Sequence, residues 1–182
     1  MKDIVHFEPL TQEKYATYIT VGTKAYNQHY RHLWPKGDSA PYIQSSFTEE
    51  VLLQEEQDTN TLLFLIHHNK KTVGILKISL KKALDSYSRE EALYVDKIYI
   101  IKEATGKGIG KKVLQFVELR AKELKKRIIW LDTMQKGPAL HFYLKNGFKK
   151  HSTTEIPFPQ AIEEKKPMFI MTKTVSKVST LR

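Results

Sequence analysis

Cysteine is absent from the 182 residues. That excludes disulfides, thiolate metal sites and a cysteine nucleophile, and it suits a reducing compartment without requiring one. No apolar run approaches about 18 residues, so no membrane span is expected. The opening "MKDIVHFEPL" is too polar for a signal peptide, and a cytoplasmic location is the expectation. The sequence also lacks a Gly/Ser linker and any internal repeat. A single domain over residues 1–175 is expected, with residues 176–182 as a frayed tail. Histidine offers little: His29 and His32 share a helix face, but no further residues at ligand spacing join them, so no metal site is expected.

Positive charge is in excess, with a formal net charge of +10. Such a surface could meet nucleic acid, anionic lipid or a phosphorylated small molecule. The lysines are scattered ("NKK", "LKK", "GKK", "FKK") and form no single tract with interleaved aromatics. A basic nucleic-acid-binding or regulatory module without turnover is therefore the alternative reading, and not the leading one.

Periodicity gives the order β-α-α-β-β-β-α-β-α-β-β. Strands are expected at 3–8, 61–68, 72–80, 92–101 and 127–133, with two more near the carboxyl end. Helices are expected from 11 to 33, 41 to 57, 106 to 125 and 137 to 147. The run 92–101 divides into two faces, Leu93/Val95/Lys97/Tyr99/Ile101 and Tyr94/Asp96/Ile98/Ile100. The helix after it buries Ile109, Val113, Phe116, Val117, Ala121 and Leu124. A right-handed crossover places the start of that helix at the carboxyl edge of the strand, where open α/β sheets bind ligands.

The stretch "TGKGIGKK" opens this helix, and Lys102, Lys107, Lys111 and Lys112 surround it. Cations at a helix amino end cost about 0.3–1 kcal/mol each, so an anion is expected there. Gly106, Gly108 and Gly110 allow close backbone approach and leave outward N–H groups, an anion cradle formed by the amides from Gly106 to Lys111. The spacing is neither that of the dinucleotide fingerprint nor that of a P-loop.

The turn and the residues up to Phe148 resemble the GNAT superfamily of acyl-CoA-dependent N-acetyltransferases. That family's Arg/Gln-x-x-Gly-x-Gly/Ala signature falls on Thr105 to Gly110. Its second mark, Ala-x-x-Phe-Tyr-x-x-x-Gly-Phe, is complete in Ala139, Phe142, Tyr143, Gly147 and Phe148. The strand ends "IYI" and "IWL" are also loosely similar to bacterial spermidine/spermine acetyltransferases. There are two departures: Thr105 stands where Arg or Gln is usual, and Lys136 where many members have asparagine.

The resemblance implies an α/β (α+β) fold of GNAT type: a mixed, largely antiparallel six- to seven-stranded sheet with about four helices, its central strands splayed for CoA. It implies acetyl-CoA as co-substrate, a primary amine as acceptor, direct attack in a ternary complex, and a homodimer as in many relatives. Cofactor contacts are then expected at Ile98, Tyr99 and Ile100, pairing with pantetheine as a strand does, and at Thr105, Gly106, Lys107, Gly108, Ile109, Gly110 and Lys111. Lys145 is a candidate contact to a coenzyme phosphate, set against a plain surface lysine. Tyr143 is the candidate general acid for the leaving thiolate. Asp96 is the candidate base or ammonium anchor; its other reading is an ion pair with a lysine on the neighbouring strand. Asp132 is expected to be structural. Tyr26, Tyr30, Trp34 and Tyr42 lie in the segment that walls the acceptor pocket in this family.

Overall fold

The computed structural model describes residues 4–176, so the expected tail beyond 176 and the first three residues lie outside it. Seven strands form one sheet: β1 (Val5–Pro9), β2 (Thr61–His68), β3 (Lys71–Ser79), β4 (Ala92–Ile100), β5 (Ile128–Met134), β6 (Lys149–Glu155) and β7 (Pro167–Thr174), ordered β1-β2-β3-β4-β5-β7-β6. Only β4 and β5 are parallel; every other neighbouring pair is antiparallel. The expected class is therefore found, with five α-helices among the described residues instead of about four: α1 (Tyr15–Tyr30), α2 (Ala40–Ser46), α3 (Glu49–Gln57), α4 (Ile109–Glu123) and α5 (Pro138–Lys145).

The extra helix comes from a break in the expected 41–57 run. Phe47 leaves helical geometry at φ −131°, ψ 60°, and its ring buries against Gly22 of α1. Thr48 then caps α3, its hydroxyl accepting the N–H of Val51 at 3.2 Å. A helix that ran straight through would swing Phe47 off this site.

One face of the sheet carries α1, α2 and α3, packed on Leu63, Leu65 and Ile75. The opposite face carries α4, whose Ile109, Val113, Leu114, Val117 and Ala121 are buried at i, i+4 spacing. Leu124 falls just past the helix end and is exposed, contrary to its expected core position, while Leu114 takes a buried place. The helix also begins at Ile109 and not at Gly106, because Gly106 (φ +75°) and Gly108 (φ +74°) hold left-handed turns that a helix cannot include.

The β3–β4 ladder shifts register at Lys77/Ile78: Lys77 faces Lys97 and Ile78 faces Val95, leaving Asp96 as an extra residue. This is a β-bulge, and it corrects the expected alternation along β4. Before it, Leu93 and Val95 pack with α4; after it, Ile98 and Ile100 do so. Tyr94 and Tyr99 belong to clusters on the opposite face. The two expected faces of this strand therefore exchange membership at Asp96. A strict period of two could not reveal this.

Near the bulge the β3 and β4 backbones come close. A Cβ on Gly74 would lie 2.4 Å from the Tyr99 carbonyl oxygen. Gly74→Ala should destabilise the fold by about 1–3 kcal/mol, read as a lower denaturation midpoint at unchanged m-value; an unaltered midpoint would contradict this packing.

Candidate active site between β4 and β5

The parallel pairing is short. Ala92, Leu93 and Tyr94 face Ile128, Ile129 and Trp130, and there it stops, although β4 continues to Ile100 and β5 to Met134. Beyond that point β5 keeps its partner β7 as far as Met134 and β4 keeps β3 as far as Ile100, so the sheet parts between β4 and β5. The gap opens into a cavity of about 450 Å³ lined by residues of β4, β5, α1, α2, α5 and the segment following β6.

One wall is backbone. Ile101 N–H donates to Val73 O at 2.9 Å, which fixes the parity of the strand: Tyr99's peptide groups turn to β3, and those of Ile98 and Ile100 turn to the gap. Of the three residues expected to pair with pantetheine, Tyr99 therefore offers its ring and not its peptide. Ile100 O is 2.9 Å from His29 Nε2 of α1. Gln28, one residue earlier, accepts the Lys102 N–H at 2.7 Å. These two α1 side chains tie down the loop that leads to α4, a role for His29 that its place on a helix face did not disclose.

At the start of α4, among the described residues, no backbone carbonyl accepts from the amides of Gly106 to Lys111; the first such bond is Lys112 N–H to Gly108 O at 3.2 Å. No heavy atom lies within 4 Å of where a Cβ of Gly106 or Gly108 would sit. The cradle is thus open. Lys107 and Lys111 are exposed beside it, and Ile109 buries its side chain in the core, leaving only its amide. Thr105 is exposed, and its hydroxyl is engaged locally, donating to Lys102 O at 2.7 Å. Lys145 is exposed at the end of α5.

The other wall is aromatic. Tyr26 and Tyr42 stack at 3.9 Å between ring centroids, and Trp34 Nε1 donates to Tyr26 Oη at 2.9 Å. The hydroxyls of Tyr42 and Tyr99 are 2.5 Å apart. Tyr143 of α5 lines the cavity, half-buried between Phe142 and Phe148. Burial raises its phenol well above the ordinary value, so it stays protonated.

Charge gathers where the bulge lies. Lys77 Nζ is 2.6 Å from Glu55 of α3 and 2.8 Å from Asp96, so the lysine across the strand does pair with Asp96. Burial pushes the Asp96 carboxyl up, but the Lys97 and Lys77 ammonium groups more than offset it and hold it below the usual range. Asp132 behaves oppositely: burial raises it, with Tyr94 Oη donating to it at 2.8 Å. Lys82 lies 3.7 Å above the Tyr94 ring. Lys97 was not singled out by sequence, yet it is 7% exposed and lines the cavity. A lysine inside the apolar run "YVDKIY" was the available signal.

Comparison with known proteins agrees with this geometry. A family model described as Acetyltransferase (GNAT) family matches residues 23–148. An uncharacterized N-acetyltransferase from the pepI 3′ region of Lactobacillus delbrueckii subsp. lactis is 23% identical over 116 residues, 63% of this chain and 67% of that protein. Among solved structures, the PaiA N-acetyltransferase of Thermoplasma acidophilum, in complex with coenzyme A, superposes with a TM-score of 0.74 at 20% identity, covering 94% of this chain and 99% of that one. The ribosomal-protein-S18-alanine N-acetyltransferase of Escherichia coli gives 0.67 at 14% identity, covering 98% and 99%.

The Lys77 ion pairs can be tested directly. Asp96 has a depressed carboxyl, so its contribution to stability is present above the ordinary carboxylate value and lost as pH falls through the native one. Lys77→Met leaves Glu55 and Asp96 without their shared cation and should cost about 3 kcal/mol near neutrality. Chemical denaturation should show the deficit shrinking as pH falls below the ordinary carboxylate range and Asp96 protonates. A deficit independent of pH would contradict the pairing.

Proposed function

The chain belongs to the GNAT acetyltransferase family over residues 23–148, and on that premise we propose that it transfers an acetyl group from acetyl-CoA to a primary amine held between β4 and β5. The observation that carries this reading is the parting of the two parallel strands beside an open helix amino end. The gap offers peptide groups of Ile98 and Ile100 to an extended amide-bearing arm, with the Tyr99 ring as a wall. The amides from Gly106 to Lys111 suit a diphosphate, with Lys107 and Lys111 alongside. Thr105 contributes through its backbone turn, since its hydroxyl is engaged, and Lys145 adds positive charge at the rim for a further phosphate.

Transfer needs three things: removal of a proton from an ammonium whose ordinary pKa is about 10.4, a donor to the thioester oxygen, and a proton for the departing thiolate. In this proposal Tyr143 supplies the last. It has the right proton, held by burial, and it lines the cavity. Asp96 serves as an anchor for the incoming ammonium; a carboxylate lowered by neighbouring lysines is a weak base. With no cysteine in the chain, a direct attack in a ternary complex suits the residues present, and rate enhancement then rests largely on positioning. The Escherichia coli protein is named for a ribosomal-protein alanine as acceptor, and a panel of amines identifies the acceptor here.

Acetyl-CoA at millimolar concentration should raise the melting temperature, by mass action on the native state. Gly108→Glu, which places a carboxylate in the cradle, should remove the shift while circular dichroism remains native. Tyr143→Phe should keep the shift and lower kcat by about 10²-fold or more, measured as thiol release with a panel of spermidine, tyramine and an alanyl peptide. No melting shift in the wild-type protein would overturn the reading.

A further inference from the structure

The bulge brings Asp96 and Lys97 to one side of β4, both lining the cavity. The four charges there are not shared evenly. Lys77 of β3 takes both carboxylates at hydrogen-bonding distance, Glu55 of α3 at 2.6 Å and Asp96 at 2.8 Å. Lys97 is left with Asp96 at 3.9 Å, a distance too long for a hydrogen bond. It is an almost fully buried amine whose one ion-pair partner among the described residues is already committed, with a second ammonium close by.

We propose that Lys97 is the catalytic proton acceptor of the transfer, its amine receiving a proton from the acceptor's ammonium inside the cavity. This rests on the acetyl-transfer reading above and deepens it. The physical cause of its basicity at working pH is burial first; Asp96 and Glu55 pull the other way, and Lys77 adds to the burial. Lys82 from the β3–β4 connection, Asp132 of β5 and Glu155 of β6 line the same cavity, with the phenols of Tyr42 from α2 and Tyr143 from α5. Burial prevails over these, and Lys97 sits below the ordinary lysine value. A base whose pKa lies near the operating pH is the effective kind.

The step balances. The ammonium gives one proton to Lys97 Nζ, and the freed lone pair forms the N–C bond to the thioester carbonyl carbon. The C–S bond then breaks, and the thiolate takes the Tyr143 proton. The remaining surplus proton on the new amide nitrogen restores the Tyr143 hydroxyl. Lys97 releases its proton to water, so one proton appears per amide formed.

Two measurements on the intact protein decide the matter. In 15N-lysine spectra, the side-chain resonance lost in both Lys97→Met and Lys97→Arg should titrate below the ordinary value of about 10.4. For the panel amine that gives the fastest thiol release, the acid limb of kcat/KM should follow that titration: activity falls as pH drops and Lys97 protonates. Lys97→Met and Lys97→Arg should each lower kcat/KM by about 10²–10⁴-fold and erase that limb, while the acetyl-CoA melting shift persists. Titration at or above the ordinary value would overturn the proposal. So would wild-type rate and acid limb in Lys97→Arg, or a stable acetyl group on Lys97 by peptide mass spectrometry. Absence of the melting shift in the wild type would instead remove the reading beneath it.

Discussion

A single extra residue in β4 sets the geometry on which the site depends. Two parallel strands joined by a crossover helix would ordinarily stay paired along their shared length, burying their peptide groups in a ladder. Here β4 has one residue more than its antiparallel partner at Asp96, and a bulge bends and twists the strand that carries it. Pairing with β5 ends at Tyr94 and Trp130, just before that residue. The peptide groups released beyond it are costly to leave dry and unpaired. On the reading proposed above, an extended molecule supplies the missing partner.

The same residue shift sorts side chains. Apolar Ile98 and Ile100 turn toward α4 and close the core on that face. Asp96 and Lys97 turn toward the cavity, where each would be expensive without a partner. Lys77 is the cation that makes Asp96 tolerable, and because it also holds Glu55 it ties α3 to the sheet behind the cavity. Lys97 has no carboxylate at hydrogen-bonding distance, and burial moves it below the ordinary lysine value. Two lysines facing each other across the β3–β4 ladder thus shift in opposite directions, the carboxylates lying closer to one of them.

The order of elements along the chain, the crossover helix and the glycine turn were legible because each rests on local pattern: apolar period, turn residues and two spaced motifs. The break at Phe47 was not, since the packing of its ring on Gly22 is a contact between helices far apart in the chain. The bulge escaped for a related reason. It is a mismatch between two strands, and nothing in either strand alone marks Asp96 as surplus. Once it was missed, every residue beyond it in β4 was assigned to the wrong face, and Lys97 was read as part of an apolar side. Tyr143 was found by motif, and its burial agrees with a proton donor, yet its role follows only from where α5 sets it. His29 and Gln28 showed no pattern at all, because their bonds go to the backbone of a distant loop.

The division of labour between backbone and side chain explains why the backbone wall of the cavity is easier to read from sequence than its aromatic and charged wall. Peptide groups at Ile98, Ile100 and Gly106 to Lys111 are the same whatever the sequence, so only the glycines that let a ligand approach them need to be written in it. The exposed lysines around that turn act across solvent, where screening over about 8–10 Å at physiological salt leaves them to draw an anion in more than to hold it. The acceptor wall works the other way. Tyr26, Tyr42, Tyr99, Asp96, Asp132 and Lys97 come from four separate elements, and what they recognise is set by their mutual placement. The glycine turn is thus written in a short local stretch, while this wall exists only where the fold gathers side chains from separate elements.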